Sequence, residues 1–232
     1  MKKKLVVLSG AGISAESGIK TFRDTGGLWE NHSIEEVATP EGWRKNPQLV
    51  LDFYNARRAQ AAEAQPNAGH ITLANLEAYF DVHIITQNVD SLHEKGGSSK
   101  VLHLHGELSK VRSVKNDKLI YDIGGKAIQL GDLAEDGGQL RPHIVWFGEM
   151  VPMIEPAAEL CMEADIFIVV GTSLQVYPAA GLIGYVDESA PKFIIDPNKP
   201  DVSALYQNIN FINETAAIGL PKLAQKLIEE YQ

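Results

Sequence analysis

Residues 9–23 bring together residue types that could hold a dinucleotide phosphate. The apolar residues 5–8 precede them and predict a buried strand. Gly10, Gly12 and Ala15 then fit the G-x-G-x-x-G/A pattern, in which the backbone at the start of a helix approaches a pyrophosphate. The chain continues as a glycine-rich and serine-rich loop, where an ordinary dinucleotide fold would run into a helix and its second strand. These features predict a dinucleotide site with unusual chemistry beside it.

Amide and carboxylate side chains follow another apolar run at residues 82–86. Asn88 and Asp90 could both point into a crevice, or they could cap the backbone of a local turn. Gln87 adds a further amide. The group favours a site that grips an amide-bearing ligand such as nicotinamide.

His105 ends a third apolar run and precedes Gly106, which permits close approach. An imidazole at this position can act as a general base near neutral pH, although a lone histidine near a core is usually a packed one. His103 would share one face of the strand with His105, so a two-histidine metal site is conceivable. No third ligand is evident in the sequence, and we expect no metal there.

Tyr54 and Arg57 lie three residues apart in a helical pattern and would share a helix face. A guanidinium with a phenol beside it is suited to gripping a carboxylate, while the same spacing also suits a solvated helix face. We expect Arg58 to be the solvent-facing member of the Arg57–Arg58 pair.

Residues 145–149 combine two aromatic side chains with a glycine turn. The pattern is typical of an edge strand that packs on the core. Alternatively, it is an exposed strand edge that pairs with an extended peptide by β-augmentation.

The elements that position these residues are short, nearly continuous apolar runs, which are typical of strands buried on both faces of a parallel sheet. Polar clusters follow the runs, and ligands of open α/β sheets sit beyond the carboxyl ends of the strands. The predicted strands are residues 5–8, 82–86, 101–104, 166–170, 192–195 and, as a possible sixth, 210–212. The predicted helices are residues 67–79, 154–163, 178–186 and 220–231.

The sequence therefore predicts an α/β fold: a Rossmann-like parallel sheet with a smaller inserted domain. The Rossmann-like domain would comprise residues 1–28, 66–110 and 142–232. The inserted domain would comprise residues 29–65, predicted as a helical segment, and residues 111–141. In the second insertion, two short β-like runs flank Gly124-Gly125, which predicts a β-hairpin with a two-residue glycine turn.

Composition narrows the classes of partner. The 232 residues carry a formal net charge of −9, which argues against nucleic acid, because binding to duplexes relies on Lys and Arg. The single cysteine, Cys161, excludes an internal disulfide and a zinc site built on several thiolates, and we expect it to be a packed thiol. No signal segment or membrane-spanning run is visible, so we expect a cytoplasmic protein without a membrane partner.

Together these residues resemble the sirtuins, the NAD-dependent protein lysine deacylases, through nearly the whole chain. Tyr54 and Arg57 match the Tyr-x-x-Arg of the class III bacterial and mitochondrial subgroup that removes acidic acyl groups. The matching motifs, in the order of the family, are Gly10-Ala-Gly-Ile-Ser, Gly18-Ile, Thr21-Phe22-Arg23, Gln87-Asn88-Val89-Asp90, His105-Gly106, Arg141-Pro142-His143-Ile144-Val145-Trp146-Phe147-Gly148-Glu149, Gly171-Thr172-Ser173 and Val176-Tyr177-Pro178-Ala179-Ala180-Gly181.

The resemblance implies that NAD is consumed as a co-substrate and that acylated lysine side chains of proteins are the substrates. The acyl oxygen would attack the ribose as nicotinamide leaves, and His105 would act as general base on a ribose hydroxyl that attacks the resulting imidate. Water would then complete the reaction, giving free lysine and O-acyl-ADP-ribose. The implied NAD-binding residues are Gly10, Ala11, Gly12, Ile13, Ser14, Phe22, Arg23, Gln87, Asn88, Asp90, Gly171, Thr172, Ser173, Asp196, Asn198 and Ala216. The implied substrate-binding residues are Tyr54, Arg57, Val145, Trp146, Phe147 and Gly148.

Two departures from the family pattern stand out. Most sirtuins hold a structural zinc with four cysteines in the small domain, and this chain has none there. We expect no zinc, with the hairpin around Gly124-Gly125 taking the structural task. At residues 196–198, Asp196 stands where many relatives have an Asn, and Asn198 stands near the position of their acid.

Two other functions use the same residues. Transfer of ADP-ribose to protein, or hydrolysis of NAD, would need the pocket but no acyl acceptor. A non-catalytic NAD or ADP-ribose sensor would have no need of a base such as His105.

Overall fold

The computed structural model describes residues 2–19, 28–29, 32–200 and 206–231, with only the backbone described at 28–29. In this part of the chain the strands are β1 (Lys4–Ser9), β2 (Leu28–Trp29), β3 (His32–Ser33), β4 (Asp81–Thr86), β5 (Val101–His103), β6 (Gly106–Ser113), β7 (Ile120–Asp122), β8 (Leu140–Ile144), β9 (Ile166–Val170), β10 (Lys192–Ile195) and β11 (Ile209–Ile212). The helices are α1 (Gly12–Ala15), α2 (Ile34–Val37), α3 (Pro40–Lys45), α4 (Pro47–Glu63), α5 (Ala68–Leu76), α6 (Leu92–Lys95), α7 (Ile154–Met162) and α8 (Ala216–Tyr231), and a 3₁₀-helix covers Ala179–Tyr185.

Six strands form one sheet in the order β11-β10-β9-β1-β4-β5, and every neighbouring pair in it is parallel. Alternate residues of β1 serve opposite faces, as a strand geometry requires. Leu5 and Val7 pack with side chains of α5 and α8 on one face. Val6 and Leu8 pack with α7 and the 3₁₀-helix on the other face. The α/β class predicted from the apolar runs is thus confirmed.

The order of the strands reverses at β1, because β4 and β5 extend the sheet to one side and β9, β10 and β11 extend it to the other. The carboxyl ends of β1 and β9 therefore border a topological switch point, where open α/β sheets bind their ligands. Gly10 follows β1, and its N–H donates to the carbonyl oxygen of Val170 at the end of β9 (3.0 Å).

The local elements differ from the predictions mainly at their ends. All six predicted strands are present. The segment predicted as a helix at 178–186 forms a 3₁₀-helix. Helix α8 begins at Ala216, four residues before the predicted start, because Glu16 accepts hydrogen bonds from the Thr215 hydroxyl and the Ala217 N–H at 3.1 Å each. Cys161 is buried as expected, and burial raises the pKa of its thiol to about 12.

The predicted hairpin around Gly124-Gly125 is wrong. Strand β7 pairs with β6, not with residues 126–130, which form no strand. The reason is that Asn55 of α4 uses both backbone groups of Ile128: its Nδ2 donates to the Ile128 carbonyl (2.8 Å), and its Oδ1 accepts from the Ile128 N–H (3.0 Å). The Ile128 side chain packs with Leu51 and Val111.

A three-stranded antiparallel sheet, β7-β6-β8, replaces that hairpin and lies beside α4. Its strands run from residue 106 to residue 144, beyond both ends of the predicted 111–141 insertion, and the division into two domains stays a prediction. None of the helices in the described residues is long and apolar enough to cross a bilayer.

Candidate active site

Three polar side chains meet below the loop that follows β1. The Ser14 hydroxyl accepts a hydrogen bond from Asn88 Nδ2 and donates one to Asp90 Oδ2, at 3.1 Å each. Asn88 Nδ2 also donates to the Gly10 carbonyl (3.1 Å). Because both amide hydrogens of Asn88 are engaged, its orientation is fixed and its Oδ1 is left for a donor that comes from elsewhere.

Asp90 is nearly buried, with 7% of its surface exposed. Burial raises the pKa of its carboxyl, although the Leu92 N–H and the Ser14 hydroxyl oppose this by donating to it. Asn88 and Asp90 therefore do point inward, as the crevice interpretation requires. Asp90 also caps the turn before α6 through its bond to the Leu92 N–H, so both interpretations hold for this residue.

The glycines of residues 10–12 are needed for close packing against a second loop. A Cβ on Gly12 would lie 2.7 Å from the Cα of Gly171, and a Cβ on Gly10 would lie 2.7 Å from Thr172 Cβ. Gly171 has a φ of +63°, and a Cβ there would lie 2.3 Å from the Ile13 nitrogen. The loops after β1 and β9 thus pack backbone against backbone, which only glycine permits here.

The hydrogen bond of His105 fixes its tautomer. Its Nδ1 lies 3.0 Å from the carbonyl oxygen of Gln87. A carbonyl oxygen only accepts, so Nδ1 carries the hydrogen and Nε2 keeps its lone pair. Burial lowers the pKa of His105, which keeps the ring neutral at physiological pH.

His103 differs from His105, because both of its ring nitrogens are engaged. Nδ1 lies 3.0 Å from the Asn88 carbonyl oxygen, and Nε2 lies 2.8 Å from Glu94 Oε1. The nitrogen atoms of His103 are therefore occupied and unavailable to a metal. Among the residues the structure describes, no group of three His, Cys, Asp or Glu side chains could hold a metal ion.

Tyr54 and Arg57 share one face of α4, and that face is buried: Tyr54 is fully buried and Arg57 is 7% exposed. The Tyr54 hydroxyl accepts a hydrogen bond from the Trp146 indole (3.1 Å), and the Arg57 guanidinium lies 5.8 Å from the centre of the Phe53 ring. Burial rules out the solvated helix face as the setting of this pair.

The expectation that Arg58 faces solvent is wrong, since only 2% of it is exposed. Its Nε donates to the Leu108 carbonyl of β6, and one terminal nitrogen donates to Asn55 Oδ1 (2.8 Å). Arg58 thus joins α4 to the antiparallel sheet.

Residues 145–148 do not continue β8 as an edge strand. The Val145 N–H donates to the His105 carbonyl and the Phe147 N–H to the Ala38 carbonyl, at 2.9 Å each. The Trp146 ring is core-packed, with the Arg141 guanidinium 3.3 Å from its centre. Phe147 and Gly148 are exposed. The segment therefore connects His105 to the helix that carries Tyr54, and pairing with a peptide stays a prediction.

The residues expected near adenosine lie along the other strand ends. Gln87 Nε2 donates to Thr172 Oγ1 (3.1 Å), with Ser173 half-buried beside it. Asp196 is buried, and its Oδ1 accepts from the N–H of the exposed Asn198 (2.8 Å). Ala216 is buried at the start of α8. Phe22 and Arg23 lie outside the described residues.

Sequence reasoning missed two residues that support the site. Glu94 holds His103, as described above. Asn67 Nδ2 donates to the Ile13 carbonyl (2.7 Å) and to Ser17 Oγ (3.0 Å), and so anchors the loop after β1. Asn67 is recognisable only as the N-cap of α5, and its contacts with Ile13 and Ser17, like the contact of Glu94 with His103, follow no local sequence pattern.

Comparisons with known proteins agree with this geometry. A family model described as the Sir2 family matches residues 10–178. The chain is 58% identical over 227 residues to a Helicobacter pylori protein named NAD-dependent protein deacylase, covering 98% of this chain and 96% of that protein. It is 53% identical over 231 residues to a Bacteroides thetaiotaomicron protein of the same name, covering 97% of this chain and 98% of that one.

Solved structures are also similar. A Sir2 homologue in complex with NAD superposes with a TM-score of 0.86 at 36% identity, covering 100% of this chain and 91% of that one. A Sir2 protein bound to acetylated peptide superposes with a TM-score of 0.79 at 29% identity, covering 99% of this chain and 93% of the other.

Proposed function

The chain belongs to the Sir2 family and is an NAD-dependent protein deacylase, and we propose that it removes succinyl or malonyl groups as well as acetyl groups from lysine. The acyl group is transferred to ADP-ribose with release of nicotinamide. One observation carries this function: His105, whose Nε2 binds no group among the described residues and whose pKa is lowered by burial, stands next to the Gln87–Asp90 segment, which borders the switch point of the sheet.

The residues at the switch point fit NAD. Among the described residues no donor reaches Asn88 Oδ1, and both amide hydrogens of Asn88 are engaged, so this oxygen is available to a nicotinamide or ribose group. The backbone of residues 10–14 follows β1 directly, as pyrophosphate-binding loops do. The glycine-to-glycine packing of the loops after β1 and β9 keeps side chains out of this part of the crevice. We propose that the sixteen NAD-binding residues inferred from the resemblance serve here.

Each side chain of the site has one task in the reaction. NAD supplies the ribose carbon that takes the acyl oxygen, and the nicotinamide that leaves. Asn88 and Asp90 hold the nicotinamide end, in orientations set by Ser14. His105 Nε2 accepts a proton from a ribose hydroxyl, and the Gln87 carbonyl stabilises the imidazolium that forms by accepting from Nδ1.

The acidic acyl preference is supported by the burial of Tyr54 and Arg57 on α4. A buried guanidinium costs free energy that a solvated arginine does not, which favours a role in binding a carboxylate. Trp146 donates to Tyr54, and its neighbour Val145 donates to the His105 carbonyl, which supports our proposal that the two parts belong to one site. We further propose that Val145, Phe147 and Gly148 line the path of the peptide.

We propose that the small antiparallel sheet is stable without a bound zinc ion. Ser113 at the end of β6 donates to the Asp136 carboxylate (2.8 Å), and Asp136 Oδ1 accepts from the Gly138 N–H (2.8 Å). The Lys115 N–H donates in turn to Ser113 Oγ (3.1 Å). This hydrogen-bonded cluster connects β6 to the loop before β8. It consists of Ser113, Lys115, Asp136 and Gly138.

Replacing Asp136 with alanine is expected to lower the Tm by a few degrees, and EDTA is expected to leave the wild-type Tm unchanged. The Gly138 N–H and the Ser113 hydroxyl lower the pKa of Asp136, so its stabilising effect is present at neutral pH and is lost as the pH falls through that pKa. Asp117→Ala, an exposed aspartate of the same region, is the matched control. If EDTA lowers the Tm, the proposal that this sheet is stable without zinc is contradicted.

The activity is tested with acetyl-, malonyl- and succinyl-lysine peptides plus NAD, followed by mass spectrometry. We expect free lysine, nicotinamide and O-acyl-ADP-ribose in equal amounts. Release of nicotinamide without any acyl peptide would favour ADP-ribosyl transfer or NAD hydrolysis instead. No nicotinamide release under any condition would favour a sensor.

A cytoplasmic location and the absence of a nucleic-acid partner belong to the same proposal. The net charge of −9 supports the second of these.

A further inference from the structure

The hydrogen-bond partners of His103 determine its charge. The Asn88 carbonyl can only accept, and so can an ionised Glu94 carboxylate, so both ring nitrogens of His103 must carry hydrogens. The ring is therefore an imidazolium. The side chain of His103 is only 8% exposed and that of Glu94 is 41% exposed, so one charge of the pair lies largely inside the protein.

The electrostatics of the pair agree with this reading. Burial alone would lower the pKa of His103, but the hydrogen bond and charge of Glu94 outweigh it and the pKa is raised. Burial would likewise raise the pKa of Glu94, and His103 reverses that. Both shifts favour the charged forms.

The other titratable groups around His103 do not supply a competing partner. Glu107 raises the pKa of His103 through its charge, but its carboxylate is already bound to Lys110 Nζ (2.6 Å). Asp90 feels the His103 charge, which favours its ionised form. The buried His93 is held neutral by burial and by the nearby His70 and His103.

We infer that the Glu94–His103 ion pair positions the backbone of residues 87–90: its imidazolium donates to the Asn88 carbonyl and so fixes the backbone from which the side chains of Asn88 and Asp90, oriented by Ser14, face nicotinamide. This assignment rests on the proposed function. His103 and His105 lie at the two ends of residues 103–105 and have different roles, one structural and one as the base. His105 grips the neighbouring Gln87 carbonyl with one nitrogen and keeps the other as a base, whereas His103 commits both nitrogens to structure.

The two histidines predict a bell-shaped dependence of kcat/KM for NAD on pH. Activity rises as His105 loses its proton, at a pH below the ordinary histidine pKa, because burial lowers it. Activity falls when His103 loses its proton, at a pH above the ordinary value, because one of its two hydrogen bonds then disappears. Glu94→Gln removes the charge that holds this proton.

The test measures pH profiles of kcat/KM for NAD, with an acyl peptide at saturation. In Glu94→Gln we expect the descending limb of the kcat/KM profile to move to lower pH by about one pH unit, while the ascending limb stays in place. His103→Gln is expected to lose the descending limb and to lower kcat/KM about tenfold near neutral pH, since the loop is held less firmly.

His83→Gln is the matched control. His83 Nε2 lies 3.2 Å from Asp81 Oδ1 at the opposite end of the parallel sheet, so its loss removes a histidine–carboxylate pair without touching the site. Its profile should match the wild type. A descending limb that stays in place in Glu94→Gln, with the fold intact by circular dichroism, would overturn the assignment. If the wild-type protein shows no turnover at any pH, the proposed function itself is overturned.

Discussion

Replacing His105 with asparagine is expected to lower kcat for deacylation by about 10²- to 10⁴-fold, the range that a positioned general base contributes. An asparagine amide nitrogen can take the place of Nδ1 and keep the bond to the Gln87 carbonyl, but it offers no basic lone pair where Nε2 stands. The variant thus removes the base and spares the hydrogen bond that orients the side chain.

The measurement separates the base from the fold. Free lysine and nicotinamide are quantified over a pH series, and the ascending limb of the wild-type profile should disappear in the variant. The Tm should change little, because the bond to Gln87 is kept. His83→Asn controls for the loss of a histidine elsewhere in the sheet. A variant that keeps wild-type kcat would remove His105 from the base role.

The predictions that succeeded rest on patterns local in the chain. The apolar runs before Gly10, Gln87 and Gly171 each form a strand of the parallel sheet, because runs buried on both faces have few other ways to fold. The polar residues at their ends meet for the same geometric reason: the carboxyl ends of parallel strands share one edge.

The predictions that failed were decided by partners distant in the chain. The run at residues 126–130 has a strand-like pattern, yet Asn55, 73 residues before Ile128, takes both hydrogen-bonding groups of its backbone. Arg58 looked like a surface residue until Leu108 of β6 provided a buried acceptor. Local propensity is weak against such contacts, and a single sequence does not display them.

The site shows the same division. The glycine spacing at residues 10–12 predicted close approach, but it did not reveal that Gly171 is one of the groups that approaches. The shared face of His103 and His105 left a metal site conceivable but not expected, and only the fold shows that Glu94 of α6 binds one ring nitrogen of His103. The residue types indicated what chemistry is possible, and tertiary contacts decide which histidine performs it.

Replacing Arg57 with methionine is expected to lower kcat/KM for a succinyl-lysine peptide by about 10- to 100-fold and to change that for an acetyl-lysine peptide little. A hydrogen bond to a charged group contributes about 1.5–3 kcal/mol, and each 1.4 kcal/mol corresponds to a factor of ten. Only the acidic acyl group has a carboxylate to lose this bond, while the hydrocarbon part of methionine keeps the packing against Phe53.

The ratio of the two kcat/KM values is the decisive quantity, because a general loss of stability would lower both. Arg57→Lys keeps the charge without the planar fork and should give an intermediate ratio. Arg44→Met removes an exposed arginine that pairs with Glu41 (2.7 Å) on the neighbouring α3, and it should leave the ratio unchanged. If Arg57→Met lowers both activities equally, Arg57 supports the fold of α4 and the acidic acyl preference must come from other residues.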